Sequence, residues 1–299
     1  MGGAMAARLL ASGHAVAGFD VNAYAIVQLV AGGGEAAGGP ASAARGAEVL
    51  LVMVHDAAQV EQVLFGPARS DHGDAGPHAG RLGAVDALSP GCVVWLASTV
   101  PPAYAAELGQ RLAARGVDFI DGPVSGGTTG ADDGQLVAIC GATAQAMDGA
   151  DFALRACTHR IHRVGMPGAG STVKMINQLL VAAHSALACE AMALAMRAGV
   201  DPLQVIDVIA ESAGSSRMFE KRAPRIAAGD HAVHASIDTL RKDLGIAIRA
   251  AEQVGVEPVI GRCVQGLLDA ASGSGHGAES DTSLVRHFLT ARTDHEDLR

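Results

Sequence analysis

The chain has 299 residues, 49% of them hydrophobic, 18% charged and only 3% aromatic. That balance excludes a disordered or collagen-like chain, and the length suits about two domains, each able to bury its own core. A formal net charge of −9 argues against a phosphate-backbone partner, so no nucleic-acid role is expected.

Cys92, Cys140, Cys157, Cys189 and Cys263 are scattered, without a CxxC pair or zinc-type spacing. This fits a reducing cytoplasm and predicts no metal site. The richest apolar stretch, Met175 to Ala195, is broken by Asn177, Gln178, His184 and Glu190. No membrane span is expected from it, and the N-terminus does not read as a signal peptide.

The chain opens MGGAMAARLLASGH, glycines leading an Ala/Leu-rich helix that Gly13 should stop. A strand candidate, His14 to Asp20, follows. An acidic residue closing the second strand of a dinucleotide fold binds the adenine ribose and repels a 2′-phosphate, so Asp20 suggests NAD; Asp20 also suits a plain turn. The G-x-G-x-x-G fingerprint needs a strand ahead of it, with backbone amides at the helix N-terminus meeting the pyrophosphate. Here only its last glycine, Gly2, is available. The expectation is a sheet lacking its first, central strand, with unpaired backbone on both neighbours.

Val49 to Val54 and Val93 to Ala97 are apolar runs of strand length, and Asp118 to Asp121 is a shorter one. They alternate with helix-like segments, Ala43 to Gly46 and Ala103 to Arg115, the pattern of a parallel sheet covered on both faces. Gly66 to Gly83, with His72 and His78, reads as a loop. After the third run comes DGPVSGG. Glycines beside a hydroxyl suit a small carboxylate, and the same residues equally make an ordinary loop after a strand.

From Gly170 to Gly199 about thirty helix formers run without internal proline or glycine, a helix of roughly 45 Å. Ser171 or Thr172 is its expected N-cap. Lys174 falls in the first turn, where the helix dipole and burial should both lower its pKa, as a general base requires; a solvated lysine is the plain alternative. Asn177 lies on the same face. The remainder reads as helices, including Pro202 to Ser212, Thr239 to Val254 and Val259 to Ala271. In the second of these Leu240, Leu244, Ala247, Ile248 and Ala251 form an apolar stripe, with Lys242 opposite and Asp243 at its margin.

Taken in order, MGGAMAARLLASGH with Asp20, DGPVSGG, GxxGxGxxxKxxN from Gly165 to Asn177, and the Lys242-Asp243 pair resemble the β-hydroxyacid dehydrogenase family over essentially the whole chain. The resemblance implies an NAD-binding Rossmann-type α/β domain at 1–164 and an all-helical substrate and dimerisation domain at 165–299, joined by the long helix. It implies a small hydroxy acid substrate and a homodimer or homotetramer. Lys174 would then be the catalytic acid/base with Asn177 supporting it, and Ser125, Gly126 and Gly127 would bind the substrate carboxylate. Gly2, Asp20, Val54, His55, Thr99 and Lys242 would contact the cofactor. Two departures stand out: the first strand with its glycines is missing, and Gly122 replaces an alanine common in the family. A non-catalytic dinucleotide-binding chain, crippled by the missing strand, is the alternative of another class.

Overall fold

The computed structural model describes residues 1–66 and 82–290. His72, His78 and most of the expected loop at Gly66 to Gly83 lie outside the described residues. The chain divides into two compact units, one ending at Lys174 and the other starting at Met175.

The first unit runs α1 (Gly2–Ala11), β1 (Ala17–Gly18), α2 (Ala23–Ala31), β2 (Glu35–Ala36), α3 (Pro40–Ala44), β3 (Val49–Val52), α4 (Ala57–Phe65), β4 (Val93–Leu96) and α5 (Pro102–Ala113). It continues through β5 (Asp118–Asp121), β6 (Val124–Ser125), α6 (Gly127–Asp132), β7 (Leu136–Ala142), α7 (Ala144–Gly149), α8 (Asp151–Cys157) and β8 (Thr158–Gly165) to the start of α9 (Ala169–Ala198). α1 ends where Gly13 takes a positive φ of 85°, a conformation that glycine adopts without strain.

The strands form two separate sheets. β1 and β2 pair in parallel by themselves, while the larger sheet has the order β3-β4-β5-β7-β6 with β8 beside β7. Among the described residues no strand joins β1 to β3. His14 to Asp20 accordingly forms a ladder only at Ala17 and Gly18, against β2.

β3, β4 and β5 are parallel in register. Beyond this parallel core, β7 runs antiparallel to both β5 and β6 and parallel to β8. The short link from β5 to β6 and the tight α6 turn bring the chain back beside β5, where no crossover helix could fit. Side chains of β4 alternate between two apolar layers. Val93 and Trp95 pack with Met5, Ile120, Leu136 and Leu154, and Val94 and Leu96 pack with Leu50, Leu108, Leu112 and Phe119. A strand buried on both faces reads as an unbroken apolar run, which is why VVWL was visible in the sequence.

The second unit is helical among the described residues: the body of α9, then α10 (Pro202–Ala210), α11 (Arg217–Ala227), α12 (Ile237–Gln253), α13 (Val259–Ala271) and α14 (Val285–Thr290). Its core joins Ala182, Cys189 and Met192 of α9 to Phe219, Leu240, Leu244, Val264 and Leu268. α9 is long and apolar enough to cross a membrane by length and composition, yet this face of it is the core of the unit.

Candidate active site

In the first unit, β5 meets the start of α9. β5 ends on Asp121, which is fully buried. Its Oδ2 accepts the N–H groups of Gly168 and Ser171, each at 2.9 Å, and its Oδ1 accepts the Ser171 hydroxyl at 2.5 Å. The first turn of α9 is therefore capped by a carboxylate from a distant strand. Ser171, expected as the N-cap, lies inside the helix and donates to that carboxylate, while Thr172 Oγ1 donates back to Gly168 O at 2.7 Å. Burial pushes the Asp121 carboxyl up, and the bonds from Ser171, Gly168 and Gly170 oppose the rise. Its own burial, and after it the Asp121 carboxylate, push the neighbouring Cys140 thiol up to about 12.

One turn into α9, Lys174 is buried at 6% exposure, so the solvated alternative fails. Its Nζ donates to Val124 O at 2.9 Å. Val124 precedes Ser125, hence the lysine reaches the DGPVSGG segment. Gly126 and Gly127 have φ of 143° and 74°, which side chains rarely adopt. Gly122 is explained by Trp95: a Cβ there would lie 2.6 Å from the indole Nε1, whose N–H donates to Gly122 O at 2.8 Å.

At the other end of the unit, the N–H groups of Gly2, Gly3 and Ala4 precede the first intrahelical bond, from Met5 N–H to Met1 O. No side chain caps α1 and its first turn carries no acidic residue. Free donors at a positive helix end fit a dinucleotide pyrophosphate. Asp20 is exposed just past β1, and its Oδ1 accepts the Asn22 N–H at 2.8 Å, the Asx turn that the sequence also allowed. Val54 and Thr99 follow β3 and β4. The residue that ties these strand ends is Ser98, whose buried hydroxyl accepts the Val54 N–H at 2.8 Å. His55 is exposed, and its N–H donates to Gln59 Oε1.

In the second unit Asn177 Nδ2 donates to Gln178 Oε1 at 2.9 Å, and Gln178 Nε2 donates to Asp243 Oδ2 at 2.6 Å. Lys242 Nζ lies 2.7 Å from Asp243 Oδ1. A relay of amide and carboxylate thus links the two expected residues, Asn177 and Lys242, through Gln178 and Asp243. Gln178 was missed by sequence reasoning, because its partner is 65 positions away. Asp121 was missed for the same reason. Among the described residues no group of three or more His, Cys, Asp or Glu is arranged to hold a metal ion.

Comparison with known proteins agrees at both ends of the chain. A family model described as the NAD binding domain of 6-phosphogluconate dehydrogenase matches residues 1–165. Another, the NAD-binding domain of NADP-dependent 3-hydroxyisobutyrate dehydrogenase, matches residues 168–288. An L-threonate dehydrogenase of Cupriavidus necator is 37% identical over 96% of this chain and 93% of its own length. The crystal structure of a 3-hydroxyisobutyrate dehydrogenase from Salmonella typhimurium is 33% identical and superposes with a TM-score of 0.85 over 96% of each chain. A further structure, Psf3 in complex with NADP+ and 2-OPP, is 25% identical with a TM-score of 0.85, again over 96% of each chain. The chain belongs to the β-hydroxyacid dehydrogenase family, typified by 3-hydroxyisobutyrate dehydrogenase, and is an NAD(P)-dependent dehydrogenase of hydroxy acids.

Proposed function

We propose that the protein oxidises L-threonate with NAD, Lys174 acting as the acid/base. The observation that carries the site is the bond from Lys174 Nζ to Val124 O, which sets the amine beside Ser125. The carbonyl fixes one N–H of the amine and so orients the rest of the group. In its neutral form Lys174 takes the proton of the substrate hydroxyl. The Ser125 O–H and the amides of Gly126 and Gly127 receive the carboxylate and decide which carbon is presented. Bound nicotinamide supplies the hydride acceptor. Asn177, held by Gln178, is proposed to support the lysine and the substrate, and Lys242, paired with Asp243, to serve the cofactor.

L-threonate is favoured because the curated relative at 37% identity is named for it. 3-Hydroxyisobutyrate oxidation and tartronate semialdehyde reduction are the neighbouring chemistries. NAD is favoured over NADP because Asp20, pinned by Asn22 at the end of β1, would repel a 2′-phosphate. Residues 1–164 hold the dinucleotide and 165–299 supply the helical partner domain. The protein works in the cytoplasm as a homodimer or homotetramer.

The test is kcat/KM for L-threonate, D-glycerate and 3-hydroxyisobutyrate with NAD and with NADP, in the wild type and in Lys174→Met. L-Threonate with NAD should rank first, and the substitution should lower kcat by roughly 10²–10⁴-fold. Another acid or NADP ranking first overturns that assignment. Turnover of Lys174→Met near wild type overturns the role of the lysine.

A further inference from the structure

Four consecutive residues hold both the root of α9 and the tip of its lysine. Asp121 binds the first turn through Gly168 and Ser171, and Val124 O binds Lys174 Nζ. The fit is made at backbone distance. A Cβ on Gly170 would lie 2.2 Å from Asp121 O and 2.5 Å from Ile139 O, and one on Gly141 would lie 2.4 Å from Met166 O. The helix start is thus pressed directly on β5 and β7, and any slip of it would displace Lys174 from Val124.

A buried carboxylate is costly unless donors surround it. At Asp121 backbone N–H groups, one hydroxyl and the positive end of a helix supply them. An apolar side chain in its place would avoid the desolvation cost but would leave those helix donors without a partner.

We propose that Asp121, with Ser171, is the positioning residue for Lys174, clamping the first turn of α9 so that Nζ is delivered to Val124 O beside Ser125. This rests on the reading of Lys174 as the acid/base. The chain has only three lysines, Lys174, Lys221 and Lys242, so the clamp can be read on the lysine itself. The full-length protein is reductively methylated and each lysine is quantified by mass spectrometry, for the wild type, Asp121→Asn and Ser171→Ala.

Expected is a several-fold faster modification of Lys174 in both variants, with Lys221 and Lys242 unchanged. kcat should fall by about tenfold to a hundredfold in Asp121→Asn and several-fold in Ser171→Ala, while KM for the dinucleotide stays constant. Lys174 labelling and kcat at wild-type values would overturn the proposal. So would equal acceleration at all three lysines, which marks general loosening. If Asp121→Asn fails to fold, Ser171→Ala, which removes a single bond, decides by the same two readouts. Near wild-type turnover in Lys174→Met, with the labelling change intact, would instead sink the acid/base reading and leave the clamp standing.

Discussion

Trp95 is the only tryptophan of the chain, and it accounts for Gly122 in the DGPVSGG segment. Its ring is fully buried in the sheet's apolar layer, and the space above the β5–β6 link belongs to the indole. A methyl group at Gly122 would meet Nε1 at 2.6 Å and Ile120 Cγ2 at 2.9 Å, inside contact distance of two side chains that a dense core cannot move. Gly122→Ala should therefore cost about 1–3 kcal/mol by overpacking, measured by urea unfolding. Trp95→Phe removes the offending nitrogen, so the same glycine change in that background should cost less, by at least about 0.5 kcal/mol of coupling. Equal cost in both backgrounds would show that the indole is not the reason for the glycine.

At the scale of elements, α4 and α5 are joined by one bidentate pair. Arg111 donates to Glu61 at 2.6 and 2.9 Å, and its guanidinium also lies 4.0 Å from the centre of the Phe65 ring. Arg111 holds the Glu61 carboxyl below its ordinary value of 4.5. A carboxyl lowered on folding stabilises the protein above its unfolded value, and that contribution fades as pH falls through the folded value. The melting temperature of the wild type should thus drop more between pH 7 and pH 3.5 than that of Glu61→Gln. Solvent reaches both groups, so the difference should be small, about 1–3 °C. Parallel pH curves for the two proteins would remove the pair from the account. Other features of these elements differ in how far the sequence disclosed them. β3, β4 and β5 were legible as apolar runs because both faces are buried. β7, LVAICGA, carries the same apolar signal. β8 was hidden by its alternating His and Arg residues on an exposed edge, and β6 is only two residues long. In the site, Lys174 and DGPVSGG were legible because local spacing places them. Asp121, Ser98 and Gln178 were not, because their partners lie 44 or more positions away and no local pattern encodes such pairs.

At the scale of the whole molecule, α9 presents a row of apolar side chains. Its inner face is core, but Ile176, Leu180, Leu187 and Leu194 are 50–69% exposed. Three of them recur every seven residues, the period of a helix that lies along another helix. The row is symmetric in sequence about Leu187. Ala183 and Ala191 stand four residues to either side of it, and Leu180 and Leu194 stand seven to either side. A two-fold interface must be complementary to itself, and an antiparallel pair of α9 helices centred on Leu187 meets that condition. Leucines at one end face leucines at the other, and the alanines allow close approach. A parallel pair would set Glu190 against its own copy, a like-charge contact that the antiparallel pair avoids. The proposed homo-oligomer would pair through this face. Leu187→Arg brings two cations together at the symmetry centre and should halve the molecular mass measured by light scattering at micromolar concentration. Leu203→Arg, on α10 and 62% exposed, should leave the mass unchanged. A wild type that is monomeric would remove the oligomer itself, whereas an oligomer indifferent to Leu187→Arg would move the interface to another surface.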